Sequence, residues 1–204
     1  MSERKQEILQ QVFSLYVRYG IKSITMDDVA RELGISKKTL YQIFRDKHDL
    51  VSQVAETERK NRLASLESLG KSGMNAIRQM IMVLRRVNRM MEEYSPSYLY
   101  DLKKYYPELY GEFKKEVREK MYTSVMSNIR QGKREGLYRE ELDEEVIAKL
   151  NLARSEAIHD SGIFTESEFH SSAFFREVLE YHIRGLATRK GLEVLEECLE
   201  TLDD

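Results

Sequence analysis

Hydrophobic residues recur every three or four positions along most of the chain, which is the spacing of an amphipathic α-helix. In the first segment Ile8, Val12 and Leu15 fall on one helical face, and this predicts a helix from about residue 3 to 19 that ends at Gly20. No stretch alternates strictly between apolar and polar residues, as a half-buried strand would. The pattern therefore predicts an all-α fold.

The same spacing, framed by capping residues and glycines, predicts the remaining helices. Pro96 follows a serine and marks a helix start, Thr165 with Glu168 forms a capping box, and Gly132 and Gly136 are expected to bracket a loop. The predicted helices are 27–33, 37–44, 47–69, 74–94, 96–106, 108–131, 143–159, 166–188 and a last one with Leu192, Leu195, Leu199 and Leu202 as its apolar stripe.

The two shortest predicted helices carry the clearest start and stop signals. Thr25 can cap the first of them, with Asp28 three residues on to complete a capping box. Gly34 then ends that helix, because a left-handed conformation is least costly at glycine, and Ser36 caps the second. Two short helices joined by a tight glycine turn form a helix-turn-helix.

The second of these helices has the composition of a helix that enters the major groove of DNA. Its polar side chains can reach phosphates or base edges, and Lys47 follows the predicted cap of the next helix, where its backbone N–H and ammonium can both meet a phosphate. The polar side chains of the second helix are Lys37, Lys38, Thr39, Tyr41 and Gln42.

Residues 4 to about 55 also match a family pattern. The matching positions are Thr25, Val29-Ala30, Gly34-Ile35-Ser36, Leu40-Tyr41, Ile43-Phe44, Lys47 and Leu50. In these positions the chain resembles the N-terminal module of TetR-family transcriptional repressors. Ile43 departs from the pattern, since the family usually has His, Tyr or another aromatic residue there, which often touches a phosphate, and Ile cannot donate a hydrogen bond.

The resemblance implies a helix-turn-helix DNA-binding domain over residues 1–50 and a helical ligand-binding and dimerisation domain over residues 51–204. It also implies that double-stranded operator DNA is the partner of the first domain. The DNA-binding residues are expected to be Thr25, Ser36, Lys37, Lys38, Thr39, Tyr41, Gln42 and Lys47.

The predicted helix 166–188 is apolar around its whole circumference, which indicates burial on two sides. With helix 143–159 it suggests a self-association surface, and TetR-like proteins form their dimers with two C-terminal helices from each subunit. The expected homodimer interface consists of Val146, Leu150, Ala153, Ala157, Phe174, Val178, Leu179 and Tyr181.

Methionine and aromatic residues are concentrated in the helices predicted between residues 74 and 159. These adaptable side chains suit an irregular apolar ligand, although an ordinary helical core has the same composition. We therefore hypothesise that the protein binds a small apolar or aromatic effector. Arg154 or His159 would bind the one polar group of that effector. The candidate apolar lining is Met90, Tyr98, Leu102, Tyr105, Phe113, Val117 and Met121.

Composition excludes several other classes of protein. The single cysteine, Cys198, rules out an internal disulfide, the histidines lack metal-ligand spacing, and no catalytic constellation is present, so neither an enzyme nor a cofactor is expected. No apolar run is long enough to cross a membrane, which favours a cytoplasmic location. The net charge is −2, but residues 1–62 contain 12 Lys and Arg against 9 Asp and Glu, so the positive charge lies where DNA would bind.

The sequence therefore predicts a DNA-binding transcriptional regulator, in its most specific form a repressor that binds a palindromic operator as a homodimer and is released by an effector. Three alternatives stay open at this point: a constitutive repressor without an inducer, an activator, and an all-helical interaction module whose head docks on protein.

Overall fold

The computed structural model describes residues 3–70, 73–93, 95–160, 162–165, 168 and 171–200. Over this part of the chain the fold is all-α, as predicted, and an isolated antiparallel bridge between Tyr138 and Ala187 is its only β pairing. The helices are α1 (Glu3–Tyr19), α2 (Met26–Glu32), α3 (Lys37–Ile43), α4 (Lys47–Gly70), α5 (Ala76–Glu93), α6 (Pro96–Tyr105), α7 (Pro107–Arg134), α8 (Glu144–Asp160), α9 (Ser172–Leu186) and α10 (Arg189–Glu200).

The first of two compact units comprises Met1–Ser65 and Met90–Lys115. Residues of the four helices α1, α2, α3 and α4 form its apolar core, and Tyr98 and Leu102 of α6 are buried in the same core. These units are defined by contacts between residues in space, whereas the domain boundary between residues 50 and 51 was derived from the sequence. That domain boundary stays a prediction. The consequence of the contacts for the site is that α6 packs with the first four helices.

The second unit comprises Leu66–Arg89 and Glu116–Asp204. Its apolar core encloses a small polar network around the fully buried Tyr138. The Tyr138 hydroxyl donates to Asn128 Oδ1 at 3.1 Å, and Asn128 Nδ2 donates to Gln79 Oε1 at 2.7 Å and to the carbonyl of Ala76 at 2.8 Å. Because buried amides are costly without partners, these bonds fix the register of α5 against α7.

Gly132 differs from its sequence-based interpretation. The loop was expected to begin there, but α7 continues to Arg134, and Gly136 follows in the left-handed region with φ of +69°. A side chain on Gly132 would overlap the ring of Tyr138. The glycine is therefore required by close packing inside a helix and does not end it.

The predicted helix 166–188 is not continuous, since residue 168 is helical, residue 171 is not, and α9 begins at Ser172. The capping box before it is present, since the Thr165 backbone N–H donates to Glu168 Oε2 at 2.7 Å. The helix that carries the apolar face starts at Ser172, with the side chain of Ser171 as its N-cap. Residues 166, 167, 169 and 170 lie outside the described residues, as does Leu202 of the last predicted stripe.

None of the described helices is long and apolar enough to cross a membrane. Nor do the described residues include a group of three or more His, Cys, Asp or Glu side chains suited to a metal ion.

Candidate nucleic-acid interface

The start of α2 is fixed by a complete capping box. The Thr25 side chain accepts from the backbone N–H of Asp28 at 3.2 Å, and Asp28 Oδ2 accepts from the Thr25 backbone N–H at 2.9 Å. The hydrogen bonds from Thr25 lower the pKa of the Asp28 carboxyl, so it is held as the anion that completes the cap. The predicted cap is confirmed, and the Thr25 side chain remains exposed.

The turn between α2 and α3 is short and is held by backbone hydrogen bonds. Gly34 adopts φ of +63°, and the backbone N–H of Ile35 donates back to the carbonyl of Ala30 at 3.0 Å. Ser36 then caps α3 by accepting from the backbone N–H of Thr39 at 3.0 Å. These bonds constrain the angle at which α3 leaves α2, so local hydrogen bonds contribute to the orientation of the candidate recognition helix.

Helix α3 has one buried and one exposed side. Leu40 and the following Phe44 are fully buried, which anchors the helix on the core. On the other side Lys38, Tyr41 and Gln42 face solvent, and none of them has a hydrogen bond or ion pair within the described part of the chain. Long polar side chains without internal partners suit contacts with base edges and phosphates.

Five of the predicted DNA-binding residues have partners within the protein: Thr25, which binds Asp28, and four further residues. Ser36 Oγ and Thr39 Oγ1 lie 2.8 Å apart, and Thr39 is half-buried, so its hydroxyl serves the turn first. Lys37 Nζ lies 2.7 Å from Asp27 Oδ1, and this hydrogen-bonded contact raises the pKa of Lys37. Lys47 Nζ donates to the carbonyl of Lys22 at 3.3 Å. Lys37 and Lys47 would therefore have to exchange these partners for phosphates.

The half-buried position of Lys47 was not foreseen. Burial lowers the pKa of its ammonium group, and the nearby carboxylates of Asp101 and Asp28 act in the opposite direction. Sequence reasoning also missed Arg45, which precedes α4. Its side chain is largely exposed, and its Nε lies 3.6 Å from Oδ2 of Asp46. A basic residue beside a helix N-terminus was the available signal.

Ile43, the one departure from the family pattern, is partly buried against the core of the first unit. Its side chain therefore contributes to packing at the end of α3.

A small pocket lies inside the first unit, between α4, α6 and α7, and has a volume of about 50 Å³. Pockets for drug-sized ligands usually have volumes of about 300–1,000 Å³. The lining consists of Ser52, Ala55, Glu56, Arg59, Tyr98, Leu99, Leu102, Leu109, Glu112 and Phe113.

Only three of the predicted effector-binding residues, Tyr98, Leu102 and Phe113, line this pocket. Tyr105 is exposed instead and lies beneath the ammonium groups of Lys22 and Lys104. The others do not meet at this pocket: Val117, Met121 and Arg154 belong to the second unit, and the side chains of Met90 and His159 lie outside the described residues.

Arg154 lies at the seam between α8 and α9. It donates to the carbonyl of Val178 at 3.2 Å, and its Nε is buried without a hydrogen-bond partner among the described residues. Next to it in the seam, the ring of His182 contacts the Asn151 amide at 2.9 Å. Burial, and then the charge of Arg154, lowers the pKa of His182 to about 3, so this histidine is neutral.

The outer face of α8 and α9 is apolar and largely exposed. Leu150 is 59% exposed and Tyr181 80% exposed, although both are large apolar side chains. All but one of the other residues predicted for the dimer interface lie on this face. The exception is Leu179, which is only 1% exposed and lies in the core of its own chain. The prediction for Leu179 is therefore wrong. The face consists of Val146, Leu150, Ala153, Ala157, Phe174, Val178 and Tyr181.

Comparison with known proteins agrees with this geometry. Residues 8–54 match the family described as "Bacterial regulatory proteins, tetR family". An HTH-type transcriptional regulator of Staphylococcus aureus strain USA300 is 38% identical over 56 residues, a match that spans 28% of this chain and 30% of that relative. The segment that matches the family contains α2, α3 and the start of α4.

Solved structures extend the likeness in fold to nearly the whole chain. A transcriptional regulator from Cytophaga hutchinsonii aligns with a TM-score of 0.75 at 17% identity, over 91% of this chain and 99% of that one. A TetR-family regulator from Agrobacterium tumefaciens aligns with a TM-score of 0.65 at 17% identity over the same shares. The predicted fold and N-terminal module are confirmed, and the family is one of regulators and not of enzymes, as expected.

Proposed function

We propose that this chain, which belongs to the TetR family of transcriptional regulators, is a repressor that binds a palindromic operator as a homodimer. The observation that carries the proposal is the exposed polar side of α3, where Lys38, Tyr41 and Gln42 make no hydrogen bond or ion pair within the described part of the chain. The proposal includes a cytoplasmic location, because that is where a bacterial operator is accessible.

In the proposed complex α3 enters the major groove. Lys38 and Gln42 face base edges, where a glutamine amide can bind adenine with two hydrogen bonds. Tyr41, Lys37 and Thr25 contact phosphates on either side of the groove and set the register of the helix. Ser36 and Thr39 contribute mainly by fixing the start of α3, since their hydroxyl groups bind each other.

Lys47 and Arg45 supply the phosphate contacts at the start of α4. The backbone N–H groups of a helix N-terminus attract anions, and both side chains lie beside one. A phosphate that approaches Lys47 would replace the carbonyl of Lys22 as its partner.

A second copy of the chain covers the apolar face of α8 and α9 in this proposal. A two-fold axis brings the same face of both subunits together, so exposed Leu150 and Tyr181 become buried. The dimer also presents two copies of α3, which must lie about 34–36 Å apart to enter successive major grooves. A palindromic operator follows from that symmetry.

Release by an effector is the second part of the proposal. A small apolar or aromatic compound could enter between α4, α6 and α7, but the volume of about 50 Å³ requires the pocket to open. That size favours a second candidate, a regulator that binds DNA constitutively. A thermal-shift screen of apolar and aromatic compounds, followed by an assay for DNA release, separates the two, because an effector must bind one state more tightly than the other.

DNA binding is tested by gel shift on the DNA upstream of the chain's own gene and on duplexes selected from a random library. We expect Lys47→Ala to weaken binding to all sequences alike and to lower the salt slope by about 1 per subunit. Gln42→Ala should instead relax preference at one base pair, at a cost of about 1–3 kcal/mol per half-site.

Lys120→Ala is the matched control, since Lys120 is exposed, pairs with Glu67 in the second unit and lies outside the proposed interface. Its affinity for DNA should equal that of the wild-type protein. If the Lys47 and Gln42 variants also bind like the wild type, the DNA interface lies elsewhere. If the wild type binds no duplex even at low salt, the interaction-module alternative replaces the proposal.

A further inference from the structure

We infer that Asp101 of α6 is a positioning residue for DNA binding, which holds the α1–α2 turn so that Lys47 and Thr25 stay where phosphates meet them. The inference rests on the proposed function, since it assigns a role to those two contacts. Asp101 is buried, and its Oδ2 accepts from the backbone N–H of Lys22 at 2.7 Å across 79 residues of sequence.

The turn is fitted closely around this carboxylate. Gly20, which ends α1, has φ of +79°, and a Cβ placed on it would lie 3.0 Å from Asp101 Oδ2. A residue with a side chain would therefore be strained in its backbone and crowded against the carboxylate. Since the turn has a fixed partner and little free space beside it, a change at residue 101 must be felt at residues 20–22.

Lys22 links that fixed turn to a proposed phosphate contact. Its N–H is bound by Asp101 of α6, and its carbonyl accepts from the Nζ of Lys47 at the start of α4. The Lys22 side chain also lies over the ring of Tyr105, 5.2 Å from the ring centroid, which adds a second contact with α6. The backbone of Lys22 is thus held between α6, which binds its N–H, and the ammonium group of Lys47, which binds its carbonyl.

Thr25 follows Lys22 by three residues and caps α2. A shift of the turn would therefore move both ends of the phosphate-binding surface, the cap of α2 and the ammonium of Lys47. The buried carboxylate of Asp101 also favours the charged form of Lys47, which burial disfavours. Both effects act on DNA affinity through other residues, because Asp101 itself is buried away from any DNA.

The test compares Asp101→Leu, which removes the acceptor, with Asp101→Asn, which keeps one. The probe is a fluorescent duplex of random sequence, titrated at several salt concentrations by anisotropy with the full-length protein. We expect Asp101→Leu to weaken binding roughly three- to tenfold and to lower the salt slope by about 1 per subunit, as loss of one phosphate contact does. Asp101→Asn should recover most of both.

Two controls separate positioning from general stability. Val54→Ala destabilises the same core without a polar change, and its salt slope should equal that of the wild type. In a Lys47→Ala background Asp101→Leu should weaken binding less than it does in the wild type, because the contact it positions is already lost. If Asp101→Leu does not fold, Gly20→Ala crowds the same contact from the side of the turn and should lower the slope likewise.

The inference fails if the folded variants keep the wild-type salt slope, or if the effects of Asp101→Leu and Lys47→Ala simply add. If the inference fails in this way, the proposed function still stands, provided that the wild type binds with a steep salt dependence and that Lys38→Ala weakens that binding. If the wild type shows no salt-dependent binding, the proposed function fails instead.

Discussion

Two surfaces of the molecule expose side chains of opposite character. The exposed side of α3 presents polar groups, and the exposed face of α8 and α9 presents apolar groups. On α3 these are a cation, a phenol and an amide, Lys38, Tyr41 and Gln42, whereas on α8 and α9 they are apolar side chains such as Leu150. Water solvates the first set well and the second poorly. The comparison indicates a polyanionic partner for α3 and a protein surface for α8 and α9.

The helices α2 and α3 and the helices α5 and α7 are held by different kinds of hydrogen bonds. The bonds that shape α2 and α3 lie at the surface of the first unit, in caps such as Thr25 with Asp28. The bonds that join α5 to α7 in the second unit are buried and include the bond from Tyr138 to Asn128. Substitutions on α3 should therefore change binding more than stability, and substitutions in the core of the second unit should do the reverse.

The largest effect is expected at the apolar face. Leu150→Glu would bury an unpaired carboxylate against its own symmetry mate, at a cost of several kcal/mol, so we expect folded monomers by light scattering and weak operator binding. Leu179→Glu is the matched comparison, because Leu179 lies in the core of its own chain and its replacement should unfold the second unit. A Leu150→Glu protein that remains a dimer would show that this face is not the interface.

Close packing in the second unit gives the next largest effect. Gly132→Ala would place a methyl group within the ring of Tyr138, and overpacking of this kind costs about 1–3 kcal/mol of unfolding free energy. Gly111→Ala in the same helix meets no atom within 4 Å and should stabilise the protein by about 0.5–1 kcal/mol, the usual gain over glycine in a helix. Urea denaturation of both variants measures the contrast, and equal changes would refute it.

Gly132 also shows where sequence reasoning ends. The caps at Thr25 and Ser36 and the turn at Gly34 were predicted correctly, because each depends on residues within four positions of one another. The role of Gly132 depends on Tyr138 folding back against α7, and a lone glycine in a sequence signals a break as readily as a close approach.

In the candidate site, too, the features that depend on neighbouring residues could be predicted from the sequence, and the features that depend on distant residues could not. The exposed positions of Lys38, Tyr41 and Gln42 follow from the period of α3 and its buried Leu40. The contact between Lys22 and Asp101 spans 79 residues, and no pattern in the sequence pairs them. Leu179 was misassigned for a related reason, since an all-round apolar helix does not reveal which side faces its own core.

The buried seam between α8 and α9 predicts a pH dependence that α3 should lack. The pKa of His182 is lowered from 6.5 to about 3 in the folded protein, so between these values the unfolded chain binds a proton that the folded chain does not. Stability should therefore be complete above pH 6.5 and fall as the pH drops, by at most about 1.4 kcal/mol per pH unit.

Denaturation between pH 7 and 5 measures this slope, and His182→Gln should reduce it. Arg154→Gln should raise the pKa of His182, because the Arg154 charge is one cause of the shift, so the loss of stability would end at a higher pH. Parallel pH curves for the wild type and His182→Gln would contradict the buried, neutral histidine.

The smallest effect, and the sharpest test of the contrast, is expected at Asp27. Its carboxylate pairs with Lys37 on the surface, and exposed ion pairs contribute about 0–1 kcal/mol, so Asp27→Asn should leave unfolding by urea nearly unchanged. The same change removes a negative charge beside α3 and frees Lys37 for a phosphate, so we expect affinity for DNA to rise roughly two- to fivefold with a steeper salt dependence. Glu140→Gln, an equal change of charge at an exposed position of the second unit, should alter neither quantity. If Asp27→Asn weakens DNA binding instead, the pair with Lys37 is needed to orient α3, and the lysine acts through the fold and not through a phosphate.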